Sequence, residues 1–350
     1  MLYLFQKSHM NRMQLYRCFF LVLLTLGLQS CFITRQIFTS PPSSDPSAAK
    51  FITTDVENFW KAYDIAQEAI QKGDTQTVIR VFDSLYFAKA TLGLIDFEAL
   101  ERIGNRRSFS ETIMRSKKYY DTIRPQTLKL LDMDSVIRQH FFVFKNIYPE
   151  AVFPDIYFII GRFSSGGTLT RTGLLIGAEF YSLPKNFDKN IFFKNPWFRN
   201  VTQTLDKLPY IIAHELIHSQ QPFLRFSVLR GRTLLEQSIH EGAADFVSEL
   251  IAGATINNHV REFAAPREKE LWKEFESVMN GTDYSRWLYN GSNSTDRPAD
   301  LGYWIGYQIC KAYYNRMADK HEALKAMLTT NDAVQFLKAS AYAESLAKMP

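Results

Sequence analysis

The eleven residues Ile211 to Gln221, IIAHELIHSQQ, place two histidines four positions apart with a glutamate directly after the first. On a helix, His214 and His218 fall on one face a turn apart, so both imidazoles can reach one ion. Glu215 then leans over the open side of that ion, where it can take a proton from water. Zinc accepts this geometry and lowers the pKa of a bound water to about 7. A third donor is needed. EQSIHEGAADFVSELIAG, running from Glu236 to Gly253, supplies Glu241 at 23 residues after His218. Asp245, four residues on and on the same helical face, can accept a hydrogen bond from the non-ligating nitrogen of a ligand histidine and so fix its tautomer. Taken alone, Glu241 and Asp245 read as a solvated helix face; joined to HELIH at this spacing they read as ligand and orienting group. His240 is a second candidate, as a replacement ligand or a substrate contact, although it points about 100° away from Glu241. Gly242, Ala243 and Ala244 are small enough to let the two helices close on a shared ion.

These helices must be held by the rest of the chain. From Thr53 to Tyr148 the pattern is mainly helical: DVENFWKAYDIAQEAIQ opens at Thr54 or Asp55 as N-cap, and further helical runs cover Thr75 to Ala90, Asp96 to Ile103 and Thr127 to Phe144. His140 in the last of these reads as a core or surface residue. Two β-rich stretches follow, Asp155 to Phe163 and Gly173 to Tyr181, with the chain reversing at SSGG, Ser164 to Gly167. From Val201 to Gly253 the chain is helical again, in two pieces separated by PFLRFSVLRGRT. The fold class is α+β, mainly helical with a small sheet. One domain is expected over 51–347, its helical part at 51–150 and its sheet and site helices at 151–347.

With 350 residues, 46% of them hydrophobic and 14% aromatic, the chain can bury a large core. Its net charge is +5, but Lys7, Arg12 and Arg17 lie in the first 31 residues with no acid, leaving +2 for the remainder. A nearly neutral body gives no support for nucleic-acid binding. The basic start runs into CFFLVLLTLGL, Cys18 to Leu28, whose 11 residues are too few to span a bilayer that needs about 20. Residues 1–30 therefore read as a signal peptide. Its end, LQSC, resembles the lipobox of bacterial lipoproteins, which implies that Cys31 becomes the first mature residue and carries a lipid; an ordinary secretory signal with a chance cysteine is the competing reading. Residues 31–50, rich in Pro and Ser, read as a tether. With Cys18 removed and Cys31 acylated, Cys310 stands alone and no intramolecular disulfide forms. The expected location is the cell envelope, lipid-anchored to a bacterial membrane and facing the periplasm or the cell surface.

HELIHSQQ followed by HEGAADF resembles the gluzincins, zinc peptidases with HExxH and a downstream glutamate. Metzincins are excluded, since they would carry Gly and His where this chain has Gln221 and Leu224. More closely, the chain is similar to a sequence-defined bacterial family of zinc-dependent proteases that includes gliding-motility-associated lipoproteins; YFIIGRFSSGGTLTRTGLLIGAEF and RPADLGYWIGYQICKAYY share that likeness, which spans Asp155 to Tyr314. The resemblance implies a zincin-like fold, with a small twisted sheet packed on the site helix and an edge strand beside the cleft. Leu174 to Phe180 is the expected edge, to which an extended peptide could add. It also implies a Tyr or His that stabilises an oxyanion; Tyr303 is the candidate, with Tyr307 one turn on, and packing is the competing role for both. The expectation is a membrane-anchored zinc metallopeptidase acting on a peptide or protein, with His214, His218 and Glu241 binding Zn2+, Glu215 as general base and Asp245 orienting a ligand. The alternative is a non-enzymatic lipoprotein component of a gliding or secretion machine, with cell-envelope protein partners and a structural or vestigial zinc site.

Overall fold

A computed structural model describes residues 41–194, 196–221, 231–254, 256–291 and 296–348. The expected signal peptide, Cys31 and most of PFLRFSVLRGRT lie outside the described residues. The first half contains helices α1 (Thr54–Lys72), α2 (Thr75–Leu85), α3 (Leu92–Ala99), α4 (Arg106–Arg115), α5 (Lys117–Thr127) and α6 (Asp134–Ile147). Sequence reasoning passed over α4 and α5, whose polar composition and internal Pro125 obscure a buried stripe of Phe109, Ile113, Tyr119, Tyr120 and Ile123. Asp55 is not a cap. Its buried carboxylate accepts from the Thr91 backbone N at 3.0 Å and from the Thr91 hydroxyl, tying α1 to the start of α3.

Residues 43–50, expected as part of a tether, pack on the fold. Ser43 bridges Phe153, Ala49 is buried, and Arg138 donates to the carbonyls of Pro46, Ser47 and Ala49. This segment leads into β1 (Phe51–Ile52), which joins β2 (Ile156–Ile159), β3 (Gly167–Leu169) and β4 (Leu174–Gly177) in a sheet of order β1-β2-β4-β3. β1 and β2 are parallel, as are β2 and β4, whereas β3 runs antiparallel to β4. Every residue of β2 and β4 is buried, which explains their continuous apolar runs. The expected edge strand is thus interior. The edge beside the site is β3, which starts inside the stretch that reads as a turn and is only three residues long.

The helical half grips the loop that leads to this edge. Tyr86, Tyr120 and Tyr119 donate to the carbonyls of Ile160, Gly161 and Glu179 at 2.9, 2.8 and 2.6 Å. The fully buried Glu179 carboxylate accepts from the backbone N of Gly161 and of Phe163 at 3.0 and 3.1 Å. Burial pushes its pKa up to about 7.

Beyond the sheet come α7 (Leu208–His218), α8 (Leu234–Ala252), α9 (Asn258–Ala264), α10 (Glu268–Val278) and α11 (Leu301–Arg316), then three shorter helices to Ala347. Pro209 sits in the first turn of α7, where its missing N–H removes no helical bond. A capping box of Thr233 and Glu236 starts α8. Helices α8 and α11 approach closely at a glycine crossing. A Cβ on Gly242 would lie 2.0 Å from the Gly306 carbonyl carbon, and one on Gly306 would lie 1.7 Å from the Ser238 carbonyl oxygen. Gly242 therefore serves α11 rather than α7, correcting the role its sequence context suggested. No helix among the described residues is long and apolar enough to cross a membrane.

Candidate metal centre

Helices α7 and α8 bring three donor atoms together. The Nε2 atoms of His214 and His218 lie 3.2 Å apart, and Glu241 Oε2 lies 3.3 Å from the second and 3.6 Å from the first. Zinc bonds of about 2.0–2.1 Å place neighbouring ligand atoms of a tetrahedron roughly 3.3–3.4 Å apart. The three edges match that spacing, and two imidazoles with a carboxylate are a donor set suited to zinc.

Each donor is held from behind. His214 Nδ1 lies 2.8 Å from Asp245 Oδ1, neither atom having a competing partner, and Asp245 Oδ2 accepts from Asn257 Nδ2 at 2.7 Å. His218 Nδ1 faces Gln221 Oε1 at 2.7 Å, while Gln221 Nε2 donates to the His240 carbonyl at 2.8 Å and so turns its oxygen to the ring. Glu241 Oε1 accepts from Gln237 Nε2 at 3.0 Å and from the Tyr289 hydroxyl. Acceptors behind both rings put the imidazole protons on Nδ1 and point the two Nε2 lone pairs at each other. Such lone pairs repel unless a cation or a proton lies between them. In the metal-free chain, burial opposes charge on His214, but the Asp245 and Glu241 carboxylates outweigh it and hold its pKa well above the usual value. Burial likewise opposes charge on Glu241, yet His218 and the hydrogen bonds from both histidines take it well below the carboxylate range.

Glu215 stands outside the donor cluster. Its carboxylate presses against the edge strand: a Cβ on Gly167 would lie 2.2 Å from Glu215 Oε1, so any larger residue there would displace the Glu215 side chain. Burial raises its pKa. In front of the donors is a cavity of about 280 Å³ whose walls include Gly167, Leu169, Glu215, Arg232, Tyr289 and Tyr303.

His240 is a wall of this cavity and not part of the donor cluster. Its ring stacks on that of His218 at 4.7 Å and 22°, and burial, reinforced by the His218 charge, pushes its pKa down to about 3. Tyr303 stacks on His214 with ring centroids 6.1 Å apart. Tyr307 packs against Phe246 and Trp304 in the core. His140 is buried, 5.9 Å from the Tyr210 ring, and Cys310 is a buried free thiol.

Sequence reasoning missed Gln221, Gln237, Asn257 and Tyr289. Gln237 precedes Glu241 by four residues and Gln221 follows His218 by three, so helical spacing carried a signal for both. Asn257 and Tyr289 reach the site from loops, where no periodicity marks them.

The chain matches the family of the gliding motility protein GldB over residues 43–344. It belongs to that family. GldB proteins are cell-envelope lipoproteins of gliding motility, and the match takes in both site helices. No curated protein and no solved structure matches the chain. The finer likeness to gluzincin proteases thus rests on the HELIH and HEGAADF motifs alone.

Proposed function

We propose that this GldB-family lipoprotein, anchored through Cys31, works in the gliding machinery by means of a zinc-holding cleft that engages an extended segment of a partner protein. The observation that carries this reading is the convergence of the His214 and His218 Nε2 atoms with Glu241 Oε2, each supported from behind, on a cavity bordered by the edge strand β3. Among the described residues β3 is paired on its β4 side only, so an added strand can take the other. His214, His218 and Glu241 would hold the ion. Asp245, Gln221, Gln237 and Tyr289 orient these donors, and His240 and Tyr303 wall the cleft. When bound, zinc supplies Lewis acidity toward water or a carbonyl.

A second reading, peptide hydrolysis on a zincin-like fold, is favoured by Glu215. Its carboxylate is free of the donor cluster and held at the edge strand, where Oε1 can take and return a proton. Tyr303 would then face the developing oxyanion. Complementation of a non-gliding deletion strain separates the two. Gliding restored by Glu215→Gln but not by His214→Ala or Glu241→Ala marks a binding component. If Glu215→Gln instead abolishes gliding and lowers peptide hydrolysis by about 10²–10⁴-fold, the chain is a peptidase. Normal gliding with all three variants would refute both.

A further inference from the structure

Behind the donor cavity lies a larger one, of about 500 Å³, and the two share His214, Glu215 and Tyr303 as walls. Three cations line it: Lys189, Arg199 and Lys207. Here Lys207 lies 3.9 Å from Asp206. Lys189 Nζ donates to the carbonyls of Arg199 and Thr202, and Arg199 Nη1 donates to Asn190 Oδ1 at 3.3 Å. Glu215 and Asp300 are the acids in the wall. Asp300 Oδ1 already accepts from the Tyr289 backbone N at 2.6 Å, and Glu215 lies at the boundary shared with the donor cavity. The far end is therefore rich in cations, with only the long, exposed Lys207–Asp206 contact shown against them.

We infer that this second cavity is a carboxylate-binding pocket for the segment held in the cleft. A guanidinium and two ammonium groups in a recess match a carboxylate, which Arg can bind in bidentate fashion. The segment would then run from β3, past the donor centre, to place either its C-terminal carboxylate or an Asp or Glu side chain among Lys189, Arg199 and Lys207. This rests on the reading above that the cleft engages an extended chain.

The test uses the full chain, purified in detergent and loaded with zinc, with three fluorescein-labelled peptides followed by anisotropy. These are hexa-alanine with a free C-terminus, hexa-alanine amide, and the amide with Glu in place of the fifth alanine. At least one carboxylate-bearing peptide should bind about tenfold more tightly than the neutral amide, and the one that does identifies the source of the carboxylate. The advantage should vanish in the double variant Lys207→Ala and Arg199→Ala, and shrink about threefold in Lys207→Ala alone, whose exposed side chain makes the substitution safe for the fold. Equal binding of all three peptides, or a preference that survives the double variant, overturns the pocket while leaving the cleft reading intact. If none of the three binds, the cleft reading itself fails and the pocket falls with it.

Discussion

Gly306→Ala should separate α8 from α11 and thereby release the ion. The new Cβ would stand 1.7 Å from the Ser238 carbonyl oxygen, where ordinary contact begins near 3.4 Å, so α8 has to retreat by about half that span. Neither side can yield by rotating a side chain, because the obstacle is backbone and Gly242 already abuts Gly306. Overpacking a core costs about 1–3 kcal/mol, and a backbone obstacle puts this case near about 3 kcal/mol. At roughly 2–4 °C per kcal/mol for a large domain, Tm should fall by about 6–12 °C. Glu241 lies on α8 three residues after Ser238. Metal–ligand distances tolerate deviations of only about ±0.2 Å. Even if the surrounding helices absorb half the retreat, Glu241 Oε2 leaves its place beside the two imidazoles. Circular-dichroism melting and zinc content by atomic absorption read the two effects on one preparation. Phe82→Leu, in the core of the helical half, should lower Tm without emptying the site. A Gly306→Ala protein with unchanged Tm and a full zinc complement would refute this account of the helix crossing.

Asp245→Asn should weaken zinc binding by about 10- to 100-fold, since it disturbs the group behind His214 Nδ1; competition with a chromophoric chelator measures it, and an unchanged affinity would remove Asp245 from the site. Glu179, with its pKa raised to about 7, keeps its proton to higher pH when folded than when unfolded. Stability should therefore fall as pH rises from about 4.5 to 7, by on the order of 3 kcal/mol from this group, and Glu179→Gln should flatten that slope in urea titrations at pH 5 and pH 8. Cys31→Ser should shift the protein from the membrane to the soluble fraction or leave its signal peptide uncleaved, and incorporation of a fatty-acid analogue equal to that of the native chain would show that another residue carries the lipid.

The donor cluster was legible because its spacing is helical: an offset of four from His214 to His218, and the same offset from Glu241 to Asp245, each place side chains on a common face. The helical class of the first half followed from the same periodicity. What escaped depends on contacts distant in sequence. β3 is a three-residue edge whose side chains are only half buried, so its apolar signal is weak, while β4, buried on both faces, carries the strong apolar run that suggested an edge. Gly242 read as a spacer for α7 because the sequence gives no account of where α11 will cross. Tyr289 holds Glu241 from a loop with a left-handed backbone of φ 55°, a position that follows from Asp300 capturing its backbone N and from no local preference.

How the donors are held bears on what an ion would do here. The site helices are already fixed by apolar packing, with Leu216, Ile217, Ala243, Ala244 and Val247 fully buried, and by the glycine crossing with α11. A carboxylate, an amide and a phenol fix the three donors as well, so little of the fold is left for a metal to organise. Purely structural zinc sites are closed by four protein ligands. Among the described residues this cluster has three, and it borders a cavity where Gly167 gives way to Glu215. Directing two imidazole Nε2 atoms at each other is unfavourable without a cation or a proton between them. A chain that maintains this arrangement with three separate supports, and leaves one side open to an edge strand, is shaped by what enters the cleft more than by the demands of folding.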